Sequence, residues 1–302
     1  MSTPREASGE PLGMPWRGAA APRNALLLGL IGGGIQASRT PALHEQEAAA
    51  QGLRCLYQLI DIDRLKLTGA ALGELLTAAE RMGFAGVNVT HPCKQAVIPH
   101  LHALSDAAEA LGAVNVVIFE AGRRTGHNTD APGFAESFRR GLAGVAQARV
   151  VQIGAGGAGA AVAHAALGLG VGRLTLVDTD AARADALADR LNQRFGAGRA
   201  VAAVRAEDAL PAADGLINAT PIGMVGHPGQ PVPSALLRPA LWVADVIYTP
   251  LETALLRSAR ALGCRTLPGG GMAVFQAVEA FRLFSGRAAD AERMLAHFAT
   301  MG

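Results

Sequence analysis

The stretch "RVVQIGAGGAGAAVAHAALGLG", residues 149–170, decides the fold. RVVQI (149–153) reads as a buried strand and runs directly into Gly154-Ala155-Gly156-Gly157-Ala158-Gly159, and an alanine-rich helix is expected over 157–169. With 37 glycines in the chain, the G-x-G-x-x-G spacing alone says little. Its place between a strand and a helix gives it meaning, because that is where a dinucleotide fingerprint must sit. Gly154 permits the tight turn, Gly156 lets backbone approach a pyrophosphate, and Gly159 lets the helix pack on the strand. The helix N-terminus then offers unpaired N–H groups to the phosphates.

Downstream, RLTLVD (173–178) is the next strand, and Asp178 ends it 19 residues after Gly159. An acid at this place accepts hydrogen bonds from an adenosine ribose, and its charge repels a 2′-phosphate. NAD is therefore expected in preference to NADP. Asp180 either reinforces this or caps the helix beginning at Ala181, and Arg183, one turn into that helix, is the residue that could instead receive a phosphate or stack on adenine. Further strands are expected at AVAAV (200–204), GLINAT (215–220), LWVADVI (241–247) and CRTL (264–267), followed by helical segments over 272–285 and 288–300.

Upstream lies a second α/β unit. Strands are expected at ALLLGLI (25–31), RCLYQLID (54–61) and FAGVNVT (84–90), with a strand pair, AVNVVIFE (113–120) and RRTGHNTD (123–130), turning at Ala121–Gly122. Helices are expected after Pro41, over 70–82, around 94–104 and near 131–143, and the strand pairing is expected to be mostly parallel. The fold class is α/β, in two units, the downstream one beginning after the helical stretch near 131–143. Residues 1–23 hold Pro, Gly and charges without an apolar signal segment, and read as a mobile tail.

Composition excludes several classes. A net charge of +2 with 4% aromatics gives no footing for nucleic acid. No uncharged apolar run is long enough for a membrane span. Three cysteines without a C-x-x-C pair argue against a disulfide framework or zinc and for a reducing, cytoplasmic setting. The sequence leaves monomer and homodimer open. His100-Leu-His102 has no third metal ligand at a suitable spacing, so no metal is expected there.

Small polar residues cluster at strand ends in the first half: Ser38, Thr40, Asn88, Thr90, Asn115, Asn128, Thr129 and Asp130. Strand ends are where open α/β sheets bind ligands, and hydroxyls and amides suit a polyhydroxylated small molecule. Taken in order, SRTP (38–41), NVTHPCK (88–94), GAVN (112–115), HNTD (127–130), GAGGAG (154–159), NAT (218–220) and GGGMAVFQA (269–277) give a chain that resembles the shikimate dehydrogenase family over about residues 25–300. That resemblance implies a substrate domain over 24–130 and 272–302 and a Rossmann domain over 131–271, with reversible hydride transfer between a nicotinamide and ring C3 of shikimate or quinate in the cleft between them. It implies Lys94 and Asp130 as the catalytic pair and Ser38 and Thr40 at the substrate carboxylate, with Tyr248 near it. Asn88, Thr90, Asn115 and Gln276 would contact the hydroxyls or carboxylate, and Ala219, Thr220 and Met272 would lie on the nicotinamide side. Thr40, where biosynthetic members usually carry Ser, and Val177-Asp178-Thr179, where they usually carry an Asn-Arg-Thr-like stretch, both resemble the NAD-dependent quinate/shikimate subgroup. The competing readings are an NADP-dependent biosynthetic enzyme, a relative acting on an amino analogue, and a dinucleotide-binding regulator without chemistry.

Lys94 is one of two lysines among 27 basic side chains, the other being Lys66. Oxidising a secondary alcohol requires a group that takes a proton and returns it in the reverse direction. Arginine does not release its proton in proteins, whereas a lysine amine can. Asp130 would orient the amine, and a helix N-cap is its other reading.

Overall fold

The computed structural model describes residues 25–301, so the tail expected over 1–23 lies outside the described residues. The first half contains β1 (Ala25–Gly32), α1 (Thr40–Ala50), β2 (Arg54–Asp61), α2 (Leu72–Arg81), β3 (Gly86–Val89), α3 (Cys93–Ala96), β4 (Ala103–Leu104), α4 (Asp106–Leu111), β5 (Val116–Glu120) and β6 (Arg123–His127). The second contains α5 (Asp130–Gly141), β7 (Arg149–Ile153), α6 (Gly157–Gly168), β8 (Arg173–Val177), α7 (Ala181–Phe195), β9 (Ala200–Ala202), α8 (Ala206–Ala209), β10 (Gly215–Asn218), β11 (Trp242–Asp245), α9 (Ala254–Ala261) and β12 (Thr266–Leu267). Two helices, α10 (Gly270–Ser285) and α11 (Ala291–Thr300), end the described chain.

The two sheets are built differently. The second has the order β12-β11-β10-β7-β8-β9 and is parallel throughout, the doubly wound arrangement that places a ligand beyond the carboxyl ends of its strands. The first, β2-β1-β3-β5-β6-β4, is mixed, because β5 runs antiparallel to both β3 and β6. The expectation of mostly parallel pairing holds in both sheets, since three of the five pairings in the first are parallel, and the expected strand pair turning at Ala121–Gly122 is its antiparallel exception. Its cause is local: Ala121 (φ 48°) and Gly122 (φ 74°) are both left-handed, so two residues suffice to reverse the chain as a hairpin.

A correction concerns 94–104. Only one helical turn forms, Cys93–Ala96, followed by a 3₁₀ turn at Ile98–His100. Pro99 cannot donate to a continuing helix, and Ala103–Leu104 instead pair with β6. His100 and His102 are thus not a helical pair; His102 Nδ1 accepts a hydrogen bond from the Arg124 backbone N–H at 2.9 Å.

The C-terminal helices lead back to the first half. Gly133 of α5 lets α10 approach so closely that a Cβ there would lie 2.7 Å from the Gln276 nitrogen. On α1, the buried Glu47 carboxylate accepts from Gln51, from the Asp290 backbone and from both Nε and Nη2 of Arg293. Phe281 and Phe284 of α10 pack with Leu28 and Tyr57 under the first sheet. Among the described residues, no helix is long and apolar enough to cross a membrane.

Candidate active site

Lys94 lies in the one-turn helix α3, held at its base by the Val114 N–H donating to its carbonyl at 2.8 Å. Its Nζ donates to Asp130 Oδ2, and both side chains are largely shielded from solvent. Asp130 is the first residue of α5, not the cap; Asn128 Oδ1 takes the capping part by accepting from the Asp130 and Ala131 N–H groups at 3.0 and 3.4 Å. The second oxygen, Asp130 Oδ1, accepts from Asn115 Nδ2 at 3.0 Å. Asn115 also donates to Thr129 Oγ1 at 2.9 Å, while its own Oδ1 accepts from the Thr129 N–H at 2.8 Å. Both amide hydrogens of Asn115 are thus directed within this network. Gln276 of α10 completes the group, its Oε1 3.4 Å from Thr129 Oγ1 and 3.5 Å from Asn115 Nδ2.

Around this pair the structure gathers the other residues singled out in the first half. Asn88 Nδ2 donates to the Asn115 carbonyl at 3.2 Å, and the Thr90 side chain packs against Gly32 at the end of β1. Ser38 Oγ accepts from the Thr40 N–H at 3.3 Å and is hydrogen-bonded to Tyr248, whose phenol burial pushes above its usual range. Tyr248 in turn packs edge-on against Phe298 of α11, ring centroids 6.2 Å apart. Ser38, Thr40, Thr90, Lys94, Tyr248 and Gln276 are all half-buried. Cys93 is fully buried beside Lys94, and burial pushes its thiol up, away from the reactive thiolate.

The glycine loop meets this group directly: a Cβ at Gly157 would lie 3.6 Å from both Cβ and Cδ of Lys94. The loop fits a dinucleotide on its own geometry. Gly154 has φ 99°, and a Cβ on it would lie 2.6 Å from the Ala219 carbonyl. A Cβ at Gly156 would meet nothing within 4 Å, which leaves room for phosphate oxygens against the backbone. Gly159 packs on the Gly154 carbonyl at the start of α6.

Asp178 sits just past β8, with its side chain mostly shielded. Its Oδ2 accepts from the Ala155 N–H at 2.7 Å and its Oδ1 from the Asp180 N–H at 2.9 Å, so it shapes the loop. Asp180 is the N-cap of α7 and accepts from the Arg183 N–H. The exposed Arg183 guanidinium lies 3.5 Å from Asp178 and 3.4 Å from Asp180. Met272, placed on the nicotinamide side by resemblance, is buried in the apolar core shared by α5 and α6.

Several residues that matter here were not singled out in the sequence. Gln152, fully buried, donates its amide to the Gly154 and Gly159 carbonyls, both at 2.8 Å, and so clasps the loop. Asp245, also buried, accepts from Asn218 Nδ2 at 3.1 Å, the Ile247 N–H at 3.1 Å and Thr253 Oγ1 at 2.8 Å. Asn218 in turn accepts from the Thr220 N–H and hydroxyl at 3.1 and 2.7 Å, fixing the Ala219–Thr220 turn beside Gly154. A polar residue inside an otherwise apolar strand, as in VVQI and WVAD, is the signal that could have found them.

Comparison with known proteins agrees with this geometry. Residues 30–117 match the shikimate dehydrogenase substrate-binding domain, 135–240 the C-terminal domain of alanine dehydrogenase/PNT, and 269–297 the shikimate 5′-dehydrogenase C-terminal domain. A shikimate dehydrogenase (NADP(+)) of Streptomyces avermitilis is 61% identical, over 92% of this chain and 97% of the relative. A quinate/shikimate dehydrogenase (NAD(+)) of Corynebacterium efficiens is 52% identical, over 92% and 99%. Among solved structures, quinate dehydrogenase from Corynebacterium glutamicum in complex with NAD superposes with a TM-score of 0.86 at 48% identity, covering 92% of this chain and 99% of that one. With a dinucleotide-binding loop laid against a lysine–aspartate pair and these relatives matched nearly end to end, the chain belongs to the shikimate dehydrogenase family of NAD(P)-dependent oxidoreductases.

Proposed function

We propose that the protein catalyses the reversible NAD-dependent oxidation of the C3 hydroxyl of quinate and shikimate to their 3-dehydro forms. The single observation that carries this reading is the Lys94–Asp130 pair seated against the glycine loop. In this division of labour, residues 24–130 and 272–302 bind the cyclitol and residues 131–271 bind the dinucleotide.

A bound nicotinamide supplies the hydride acceptor. The chain's own part is to hold the ring and move the proton. In oxidation the neutral Lys94 amine takes the proton from the C3 oxygen as hydride leaves the carbon. In reduction the Lys94 ammonium returns it to the forming alkoxide. Asp130 fixes Nζ through one oxygen and is itself fixed by Asn115 through the other. Ser38, Thr40 and Tyr248 form the carboxylate end. Asn88, Thr90 and Gln276 meet the ring hydroxyls, which must be paired once desolvated. Asn115 stands behind Asp130 in this arrangement, so its contribution to substrate binding runs through that carboxylate.

The preference for NAD rests on Asp178, whose carboxylate repels a 2′-phosphate at the ribose position. The second reading, an NADP-dependent enzyme, is favoured by Arg183 lying next to Asp178 and by the cofactor named for the Streptomyces relative. Initial rates for quinate and shikimate, each with NAD and with NADP, test both. Turnover of both cyclitols with higher kcat/KM for NAD is expected, and Asp178→Ala should erode that selectivity. A higher kcat/KM for NADP selects the second reading, and no cyclitol turnover with either dinucleotide overturns both.

A further inference from the structure

Tyr57 lies in the middle of β2, and its hydroxyl is hydrogen-bonded to Asn88. We propose that Tyr57 is a positioning residue: its phenol ties up the Asn88 amide oxygen, while the Asn115 carbonyl sets which way round the amide sits, so that Asn88 presents its N–H to the substrate. This rests on the reading of Asn88 as a substrate contact.

An asparagine amide presents an oxygen and an NH₂ group of nearly equal size, so only its partners decide which way round it sits. Asn88 has two, and it is buried against both. One is the main-chain carbonyl of Asn115, 3.2 Å from Nδ2, an oxygen that can only accept. The NH₂ group must therefore occupy that side. Oδ1 falls on the other side, 2.6 Å from the Tyr57 hydroxyl, which donates to it. Reversing the amide would set its oxygen against the Asn115 carbonyl, two acceptors facing each other out of water, a costly arrangement.

The phenol is in turn held from behind. The His44 ring packs on Tyr57 with centroids 5.1 Å apart and is backed by Phe284 at 5.8 Å and Phe281 at 6.3 Å. Burial pushes the Tyr57 hydroxyl well above its ordinary range, so it keeps the proton that it donates. One amide hydrogen of Asn88 then has no protein acceptor among the described residues. It is the group left to meet a substrate oxygen. A cyclitol hydroxyl held there must accept from Asn88 and send its own proton elsewhere. The site thereby selects not only where a hydroxyl lies but which way its O–H bond turns.

Tyr57→Phe removes the donor and keeps the ring. The freed Oδ1 then competes for the pocket as an acceptor. KM for quinate and shikimate should rise about tenfold, the scale of one buried hydrogen bond, with kcat changed less than about threefold and KM for the dinucleotide unchanged. That unchanged dinucleotide KM, read below the variant's melting temperature, separates positioning from a general loss of fold. Asn88→Ala and the double variant complete a cycle. If Tyr57 acts through Asn88, the double variant's KM equals that of Asn88→Ala. Multiplying effects overturn the proposal. An unchanged cyclitol KM in Tyr57→Phe, with a raised one in Asn88→Ala, also overturns it and leaves the functional reading standing. An unchanged cyclitol KM in Asn88→Ala overturns the proposal together with the assignment of Asn88 to substrate.

Discussion

Asp130, which follows β6 of the first sheet, and Asp245, which ends β11 of the second, are both buried, and the two are used in opposite ways. Asp130, in the first turn of α5, faces a side chain with a proton to give: the Lys94 amine. Asp245, at the end of β11, faces only fixed donors: an amide, a backbone N–H and a hydroxyl. No cation is hydrogen-bonded to it among the described residues, and burial pushes its carboxyl up, with the three donors opposing that shift. The contrast teaches that burial and hydrogen bonding alone do not mark a reactive carboxylate. What distinguishes Asp130 is an ion-pair partner, the Lys94 amine, which the proposed mechanism uses to carry the proton.

The largest expected effect lies in that partner. Lys94→Ala should lower kcat by about 10²–10⁴-fold, and Lys94→Arg should be nearly as poor although it keeps the charge. Steady-state rates with saturating cyclitol and dinucleotide measure this; full activity in the arginine variant would remove the contrast. Next, Asp130→Asn should lower kcat by about 10²-fold while leaving the fold intact, because Asn128 rather than Asp130 caps α5.

A third effect separates the halves by pH. His44, wholly buried in the first half, has its pKa lowered to about 4 by desolvation, against a hydrogen bond to the Thr40 carbonyl that raises it. The unfolded imidazole binds a proton near pH 6.5 and the folded one does not, so stability is complete above that pH. It is lost as pH falls from about 6.5 to about 4, by roughly 3 kcal/mol. Thermal melts across this window should show a steep decline that His44→Phe flattens; parallel curves for the two proteins would refute the assignment.

The smallest effect is the sharpest foil. Asp245→Asn keeps an acceptor oxygen for Asn218 and Ile247, and the Thr253 hydroxyl can turn to accept from the new NH₂. It should change stability by less than about 1 kcal/mol and kcat hardly at all. It should also remove a pH dependence of a particular sign. A carboxyl whose folded pKa is raised is most favourable to the native state when protonated, and costs stability as pH rises through that pKa. Paired melts of the two Asp→Asn variants, with activity measured alongside, decide whether the two aspartates differ as described.

What the sequence made legible follows the same division. The bounds of β2 were read correctly because its apolar spacing is closed by Gly52 and Asp61. The dinucleotide loop was legible because turn, close approach and helix packing each demand glycine at a fixed spacing. The one-turn α3 was misread as a longer helix, since helical composition concealed the competition from Pro99 and the pairing of β4 with β6. Lys94 and Asp130 stand out through the resemblance carried by NVTHPCK and HNTD, and Lys94 also as one of two lysines in an arginine-rich chain. Tyr57 was not legible, because it lies in a run whose period says only that it is core, and its partner Asn88 is on another strand; Gln152 and Asp245 each carried only the signal of a polar side chain in an apolar strand, which does not name a partner.

The approach of Gly157 to the Lys94 stem bears on how freely the two halves can be exchanged. The loop that cradles one ligand is also a wall for the side chain that acts on the other. A graft of a foreign nucleotide-binding unit onto this first half could reproduce every strand and still leave the amine without its flank. Modularity here stops at a single methylene chain, and a chimera has to be judged on that seam before it is judged on its sheets.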